Sequence, residues 1–308
     1  MSQPNPAAPP TFCSSACRAV EEPLQATATR ADTWLLLEYT GRWGTKAFPE
    51  SALPQPVKDH LSAYEQARPH THIQFIKRAP PYTADLIQFF VAVAQGAEPR
   101  LYRFDLRRYE DLFDLDLEGI IAGDATYDGA RVASPLYLVC TNGLRDACCA
   151  KYGLEVFTAL EAVAGSAVWQ TTHLGGHRFA PILLVLPYSL HYGQVEVADV
   201  QPLVEATQRG DIYPPRFRGR TLYDRPVQAA DIFLRQQTGE WAVGAYEPVE
   251  AQRRADDTWD VLLQGRDGGG AYTVRVAERV FPHPVQKSCR DEQASTVTHF
   301  SLVEHAAR

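Results

Sequence analysis

Two stretches of this chain, residues 33 to 123 and 134 to 210, read in the same order of elements: strand, helix, strand, strand, strand, helix. In the first, "TWLLLEYTG" is a buried-strand pattern and "LPQPVKDHLSAYEQA" a helix with its prolines confined to the start. "HTHIQFIKRA" alternates as a strand does. "LIQFFVAVA" and "PRLYRFDL" flank the turn-like "QGAEP", and "RYEDLFDLDLEGIIAG" is an amphipathic helix ended by Gly123. In the second, "SPLYLVCTNG" is a strand ending at Cys140, and "CCAKYGLEVFTALEAVA" places Val156, Phe157, Leu160, Val163 and Ala164 at helical spacing. "AVWQTTH" is a strand, "APILLVLPYSLHYGQV" splits into two strands around Pro187 to Leu190, and "DVQPLVEATQRG" is the closing helix. Residue identity between the stretches is low, so the repeat is one of structure.

That order predicts an α/β fold of tandem thioredoxin-like (ferredoxin) halves, with mixed sheets flanked by helices. Residues 1–11 read as a Pro-rich disordered leader. Residues 12–130 form a first half without metal ligands, and 131–210 a second half that carries the candidate ligands. Residues 211–308 form a small C-terminal α+β appendage. In the appendage "DIYPPRFRGR" is linker-like, "RPVQAADIFLRQQTG" is a helix ended by Gly239, and "TWDVLLQGRDGGGAYTVRVAERV" is a hairpin turning at "DGGG".

Charge narrows the partners. The net charge is −7 with both signs interspersed and no basic stripe, which argues against nucleic acid and anionic membranes. The longest apolar runs, "LIQFFVAVA" and "ILLVLPY", are too short to span a bilayer, and no secretory signal is visible. A cytoplasmic location is expected. The six cysteines then sit in a reducing compartment, where clustered thiols more often bind metal or do redox work than form structural disulfides.

Three of the six fall in "CTNGLRDACC", and "HLGGH" follows after one helix and one strand. Cys140 ends a strand. Cys149 opens a helix, whose N-terminus favours the thiolate that a metal requires. Two adjacent glycines make "HLGGH" a loop rather than a helix, since each costs about 1 kcal/mol in a helix interior. Cys140, Cys149, His173 and His177 are thus candidate ligands for zinc or an iron–sulfur cluster. The C-x8-C spacing departs from zinc knuckles and suits a two-iron cluster, with histidines raising its potential as in Rieske centres. Each element also has a plain alternative. Cys140 alone reads as a small buried hydrophobe, and an isolated H-x3-H is a weak signal. Cys148 and Cys149 do not easily face the same way, so one of them is spare.

"CTNGLRDACCAKYG" followed by "VWQTTHLGGHRFAPILLVLPYSLHYGQV" resembles the sucrase/ferredoxin-like family, a branch of the thioredoxin-like [2Fe-2S] ferredoxins, and "WLLLEYTGRWG" resembles its N-terminal segment. The similarity runs from about residue 12 to 210. It implies a [2Fe-2S] cluster held by Cys140, Cys149, His173 and His177, with Cys148 a non-ligand. After "HRFA" the chain carries Pro181 and Ile182, where the family pattern has a small residue and Asn. No glycosidase carboxylate pair accompanies the family's name.

Arg145, Asp146, Gly175, Gly176 and Arg178 lie inside the motifs. The three charged ones read either as a loop-stabilising ion pair or as groups that tune a bound metal. Cys13 and Cys17 read as incidental thiols in a flexible leader, Cys289 as a lone, partly exposed thiol, and His191 as a surface residue in a hairpin turn. His283, His299 and His305 read as residues without partners. The expectation is an electron-transfer or redox-sensing protein, a non-catalytic carrier rather than an enzyme, docking to an unidentified redox partner protein. Three alternatives stand beside it: a thioredoxin-like thiol oxidoreductase using Cys148 or Cys149, a zinc-binding interaction module, and a scaffold without a metal.

Overall fold

The structure is a computed structural model and describes residues 12–79, 85–95, 98–266 and 269–307. The predicted leader, residues 1–11, lies outside the described residues, as do parts of the "QGAEP" and "DGGG" turns. The elements in chain order are α1 (Cys13–Ala19), β1 (Thr33–Glu38), α2 (Gln55–Ala67), β2 (Thr71–Lys77), β3 (Ile87–Val93), β4 (Arg100–Leu106) and α3 (Leu117–Ala122). Next come β5 (Leu136–Cys140), α4 (Ala147–Ala164), β6 (Val168–Thr171), β7 (Ile182–Leu186), β8 (Leu190–Gly193) and α5 (Val197–Gln208). The chain finishes with β9 (Phe217–Arg220), α6 (Arg225–Thr238), β10 (Tyr246–Arg253), β11 (Thr258–Gly265), β12 (Ala271–Val280) and β13 (Thr298–Ala307).

Nine strands form one mixed sheet in the order β4-β3-β1-β2-β6-β5-β7-β8-β9. The two stretches that repeat in sequence repeat in connectivity. In each, the first strand pairs parallel with the second across a helix and antiparallel with the third, and the fourth flanks the third. They meet at an antiparallel seam, where Ile76 lies opposite Thr171 and Lys77 opposite Gln170. β5 and β7, near the middle of the sheet, are buried at every position because both faces are covered. In β1, Trp34 and Leu36 face one core, while Leu35 and Leu37 face the core under α2. The first of these cores also contains Cys13, Cys140, Cys148 and Cys149.

Four features depart from the sequence reading. The "RYEDLFDLDLEGIIAG" segment breaks into a 3-10 turn (Tyr109–Asp114) and α3, because the Asp116 carboxylate caps a fresh helix by accepting from the Gly119 N–H at 3.1 Å. The linker-like "DIYPPRFRGR" supplies β9, which is buried at the sheet edge against β8. The C-terminal region forms a four-stranded antiparallel sheet, β10-β11-β12-β13, packed on α6. Only its middle hairpin was legible in sequence. Finally, Cys13 and Cys17 belong to α1 and are buried, not part of a mobile leader.

Candidate metal centre

The candidate residues gather at the C-terminal ends of β5 and β6. Open α/β sheets place ligands at this edge, where the connections diverge. Cys140 is the last residue of β5. The chain then turns through Asn142, whose side chain anchors the turn by accepting from the Arg145 N–H at 3.2 Å and donating to the Gly44 carbonyl at 3.1 Å. Asp146 caps α4, accepting from the Cys148 N–H at 3.0 Å. Cys149 falls in the helix's first turn. Gly153, one turn further, lets α4 lie against the end of β5: a Cβ there would stand 2.3 Å from the Cys140 carbonyl oxygen. Sequence reasoning passed over this residue, although a glycine inside a helical pattern signals such close approach.

His173 and His177 come from the loop after β6. Gly175 and Gly176 both have positive φ, 93° and 77°, so the loop reverses within two residues. A Cβ on Gly176 would meet the Arg218 guanidinium at 2.7 Å. Arg218, fully buried on β9, holds this loop from behind. It donates to the Gly175 carbonyl at 3.2 Å, to Thr27 Oγ1 at 3.0 Å and to His191 Nε2 at 3.2 Å. His191, expected on the surface, is therefore buried in β8 as part of the loop's support. Its pattern position was misleading because β9, unrecognised in sequence, covers it.

The ligand atoms of Cys140, Cys149 and His173 lie within 4.8 Å of one another. His177 is outside that trio but stacks on His173, ring centroids 3.8 Å apart and 19° from parallel. The Nδ1 atoms of both histidines are buried without a hydrogen-bond partner. A buried imidazole nitrogen with nothing to bind is costly, and one ring nitrogen of His173 lies within 4.8 Å of both thiol sulfurs. The donor set, two thiols and two imidazoles, fits a thiophilic metal or an iron–sulfur cluster.

Protonation in the site is divided. A hydrogen bond from the Cys149 thiol, reinforced by His173, holds Cys140 well below the ordinary thiol value despite its burial. The same contact with Cys140, together with burial, pushes Cys149 up. Burial, and then the neighbouring His173, lower His177 to about 4. It is a neutral ring near pH 7 with a lone pair to give.

The charged motif residues separate. Arg145 stays beside the site, and its charge contributes to lowering His177. Arg178 makes no pair with Asp146. It grips the buried Glu22 carboxylate in a two-pronged contact at 2.8–3.0 Å. His299, expected to lack a partner, donates to the same carboxylate from Nε2 at 3.0 Å. Asp146 groups with Cys13, Cys148 and Cys289, its Oδ1 3.8 Å from the Cys13 sulfur. Cys148 stands outside the Cys140 trio, and Cys289 is not alone: the sulfurs of these two cysteines are 3.2 Å apart.

A profile of the sucrase/ferredoxin-like family matches residues 24–219, more than half of the chain. The chain belongs to the sucrase/ferredoxin-like family. No curated protein and no solved structure matches it. The matched span contains all four candidate ligands and the loop that carries the histidines. It excludes Cys13, Cys17, Cys289 and the second sheet.

Proposed function

We propose that this protein is a one-electron carrier or redox sensor whose [2Fe-2S] cluster is held by Cys140, Cys149, His173 and His177. The observation that carries the reading is the convergence of Cys140, Cys149 and His173, with His177 stacked on His173 and a buried, unpartnered Nδ1 on each ring, in a chain of this family. The bound cluster would supply one-electron chemistry at a potential raised by imidazole relative to an all-cysteine centre. Contacts with Cys149 and His173 hold Cys140 low, which favours the thiolate a metal requires, and binding would release whatever proton the pair still carries. The two cysteines adjoin each other and the two imidazoles are stacked, which supports one iron carrying both sulfurs and the other both rings. An imidazole that held the cluster through one ring nitrogen would keep the other to hold or lose a proton, so the potential should fall as pH rises. Gly175, Gly176 and Arg218 keep the two rings in place. Each half is read as thioredoxin-like, since each repeats a strand–helix–strand–hairpin connectivity. No helix among the described residues is long and apolar enough to cross a membrane. A cytoplasmic carrier that docks to a redox protein through a mildly acidic surface fits the net charge of −7.

Anaerobically purified protein should be red-brown, contain two iron atoms per chain and give a rhombic electron paramagnetic resonance signal on reduction. H173C and H177C should each keep a cluster at lower potential. A colourless protein without iron after anaerobic reconstitution would sink the proposal, and an unchanged potential in either variant would remove that histidine from the ligand set.

A further inference from the structure

Beside the α4 N-terminus three thiols from distant parts of the chain meet, two of them, Cys13 and Cys289, outside the family-matched span. Cys13 comes from α1, Cys148 from the first turn of α4, and Cys289 from the segment between β12 and β13. Their sulfurs form a closed triangle with edges of 3.5 Å (Cys13–Cys148), 3.2 Å (Cys148–Cys289) and 3.5 Å (Cys289–Cys13). Asp146 Oδ1 lies 3.8 Å from the Cys13 sulfur, and one ligand atom from each of the four residues falls within 4.8 Å of the others. Cys13, Asp146 and Cys148 are at most 1% exposed.

Three details separate this cluster from chance packing of small hydrophobic side chains. Backbone N–H groups are aimed at two of the sulfurs: Cys13 N–H at Cys289 Sγ and Ser14 N–H at Cys148 Sγ, each at 3.4 Å. Donors to sulfur favour the thiolate over the thiol. The Asp146 carboxylate is fixed from both sides, accepting from Cys148 N–H at 3.0 Å and from Cys289 N–H and Ser288 Oγ at 2.8 Å each. Among the described residues, no Lys, Arg or His side chain forms an ion pair with Asp146. A buried carboxylate with three sulfurs around it and no protein cation lacks a positive partner.

We propose that Cys13, Cys148, Cys289 and Asp146 form a structural zinc site, separate from the Cys140–His177 centre. Four protein ligands close the coordination shell, as structural rather than catalytic zinc requires. Soft thiolates select zinc, copper(I) or iron–sulfur clusters, and the oxygen as fourth donor favours zinc over copper(I). Zinc–sulfur bonds of about 2.3 Å in a tetrahedron set sulfurs about 3.8 Å apart, so the triangle needs to open by only roughly 0.3–0.6 Å. The ion would clasp the N-terminal helix and the C-terminal segment to the helix turn that carries Cys149. This proposal does not depend on the iron–sulfur reading, and its ligands share no residue with that centre.

The test is a metal count on the full chain, purified anaerobically under reductant and, where needed, stripped with chelator and titrated with zinc chloride. Wild type should hold one zinc per chain. C13S and C289S should lose it while keeping iron and visible absorption, and C140S should lose iron while keeping zinc. Zinc K-edge absorption of the wild type should find three sulfurs at about 2.3 Å and one oxygen; this arm stands even if a variant fails to fold. Failure of the wild type to take up zinc, loss of zinc in C140S with retention in C289S, a shell with two or fewer sulfurs, or a Cys148–Cys289 disulfide in the reduced protein would each overturn the proposal.

Discussion

At the scale of single residues, Glu22 shows how a side chain outside every motif supports the site. It precedes β1, is buried, and binds Arg178 of the histidine loop and His299 of β13. Burial opposes its ionisation, but the hydrogen bonds from His299 and Arg178 outweigh that cost and hold it down at about 2, from an ordinary 4.5. A carboxyl depressed in this way contributes stability that is complete above about 4.5 and is lost as pH falls towards 2. A shift of this size corresponds to roughly 3 kcal/mol. E22Q should therefore be less stable than wild type at neutral pH by about that amount, and should show a flatter acid limb in urea unfolding measured over roughly pH 2–5. Equal acid limbs in the two proteins would mean that other carboxylates govern acid unfolding. Nothing in the sequence marks Glu22, since its partners lie 156 and 277 positions away.

At the scale of elements, the histidine loop is legible and its support is not. The paired glycines announced a loop, and Gly175 and Gly176 do adopt positive φ. A side chain in the left-handed region costs about 1–2 kcal/mol, and at Gly176 it would also displace the buried Arg218. G176A should lower the melting temperature and reduce iron retained per chain, whereas Ala at the exposed Gly129, where nothing lies within 4 Å, should change neither. Full metal content in G176A would show that the loop tolerates another path. The strands and helices that repeat their apolar pattern strongly, β1 to β3 and α4 to α6, were readable because periodicity reports burial. β9 was not, because Pro214, Pro215 and three arginines within 211–220 carry the composition of a linker, while Arg218 and Arg220 are in fact buried by hydrogen bonding. The same blind spot hid His191. The four candidate ligands were found from residue types and spacing. The Cys13–Cys148–Cys289 triangle was not, since spacings of 135 and 141 positions carry no local signal.

At the scale of the whole molecule, the two repeated halves share one sheet, and the seam between them delivers His173. Only two residue pairs align across β2 and β6, yet side chains extend the junction. Thr172 Oγ1 accepts from the Phe75 N–H at 3.1 Å and donates to Gln74 Oε1 at 2.5 Å, and the Thr172 N–H donates to the Phe75 carbonyl at 3.0 Å. Thr171 Oγ1 donates to the same carbonyl at 3.1 Å. The half without candidate ligands thereby fixes the residue immediately before the first histidine. This gives the first half a mechanical role: it sets where the loop after β6 begins. T172V keeps the shape of the side chain but leaves the buried Phe75 N–H unpaired, at a cost of about 1–3 kcal/mol. The expected result is a melting temperature lower by several degrees and faster loss of iron to a chelator, with no change in the pH dependence of the potential, because both histidines remain. T172S, which keeps the hydroxyl, should restore iron retention. If T172V loses stability but holds iron as tightly as wild type, the seam joins the halves without positioning the site.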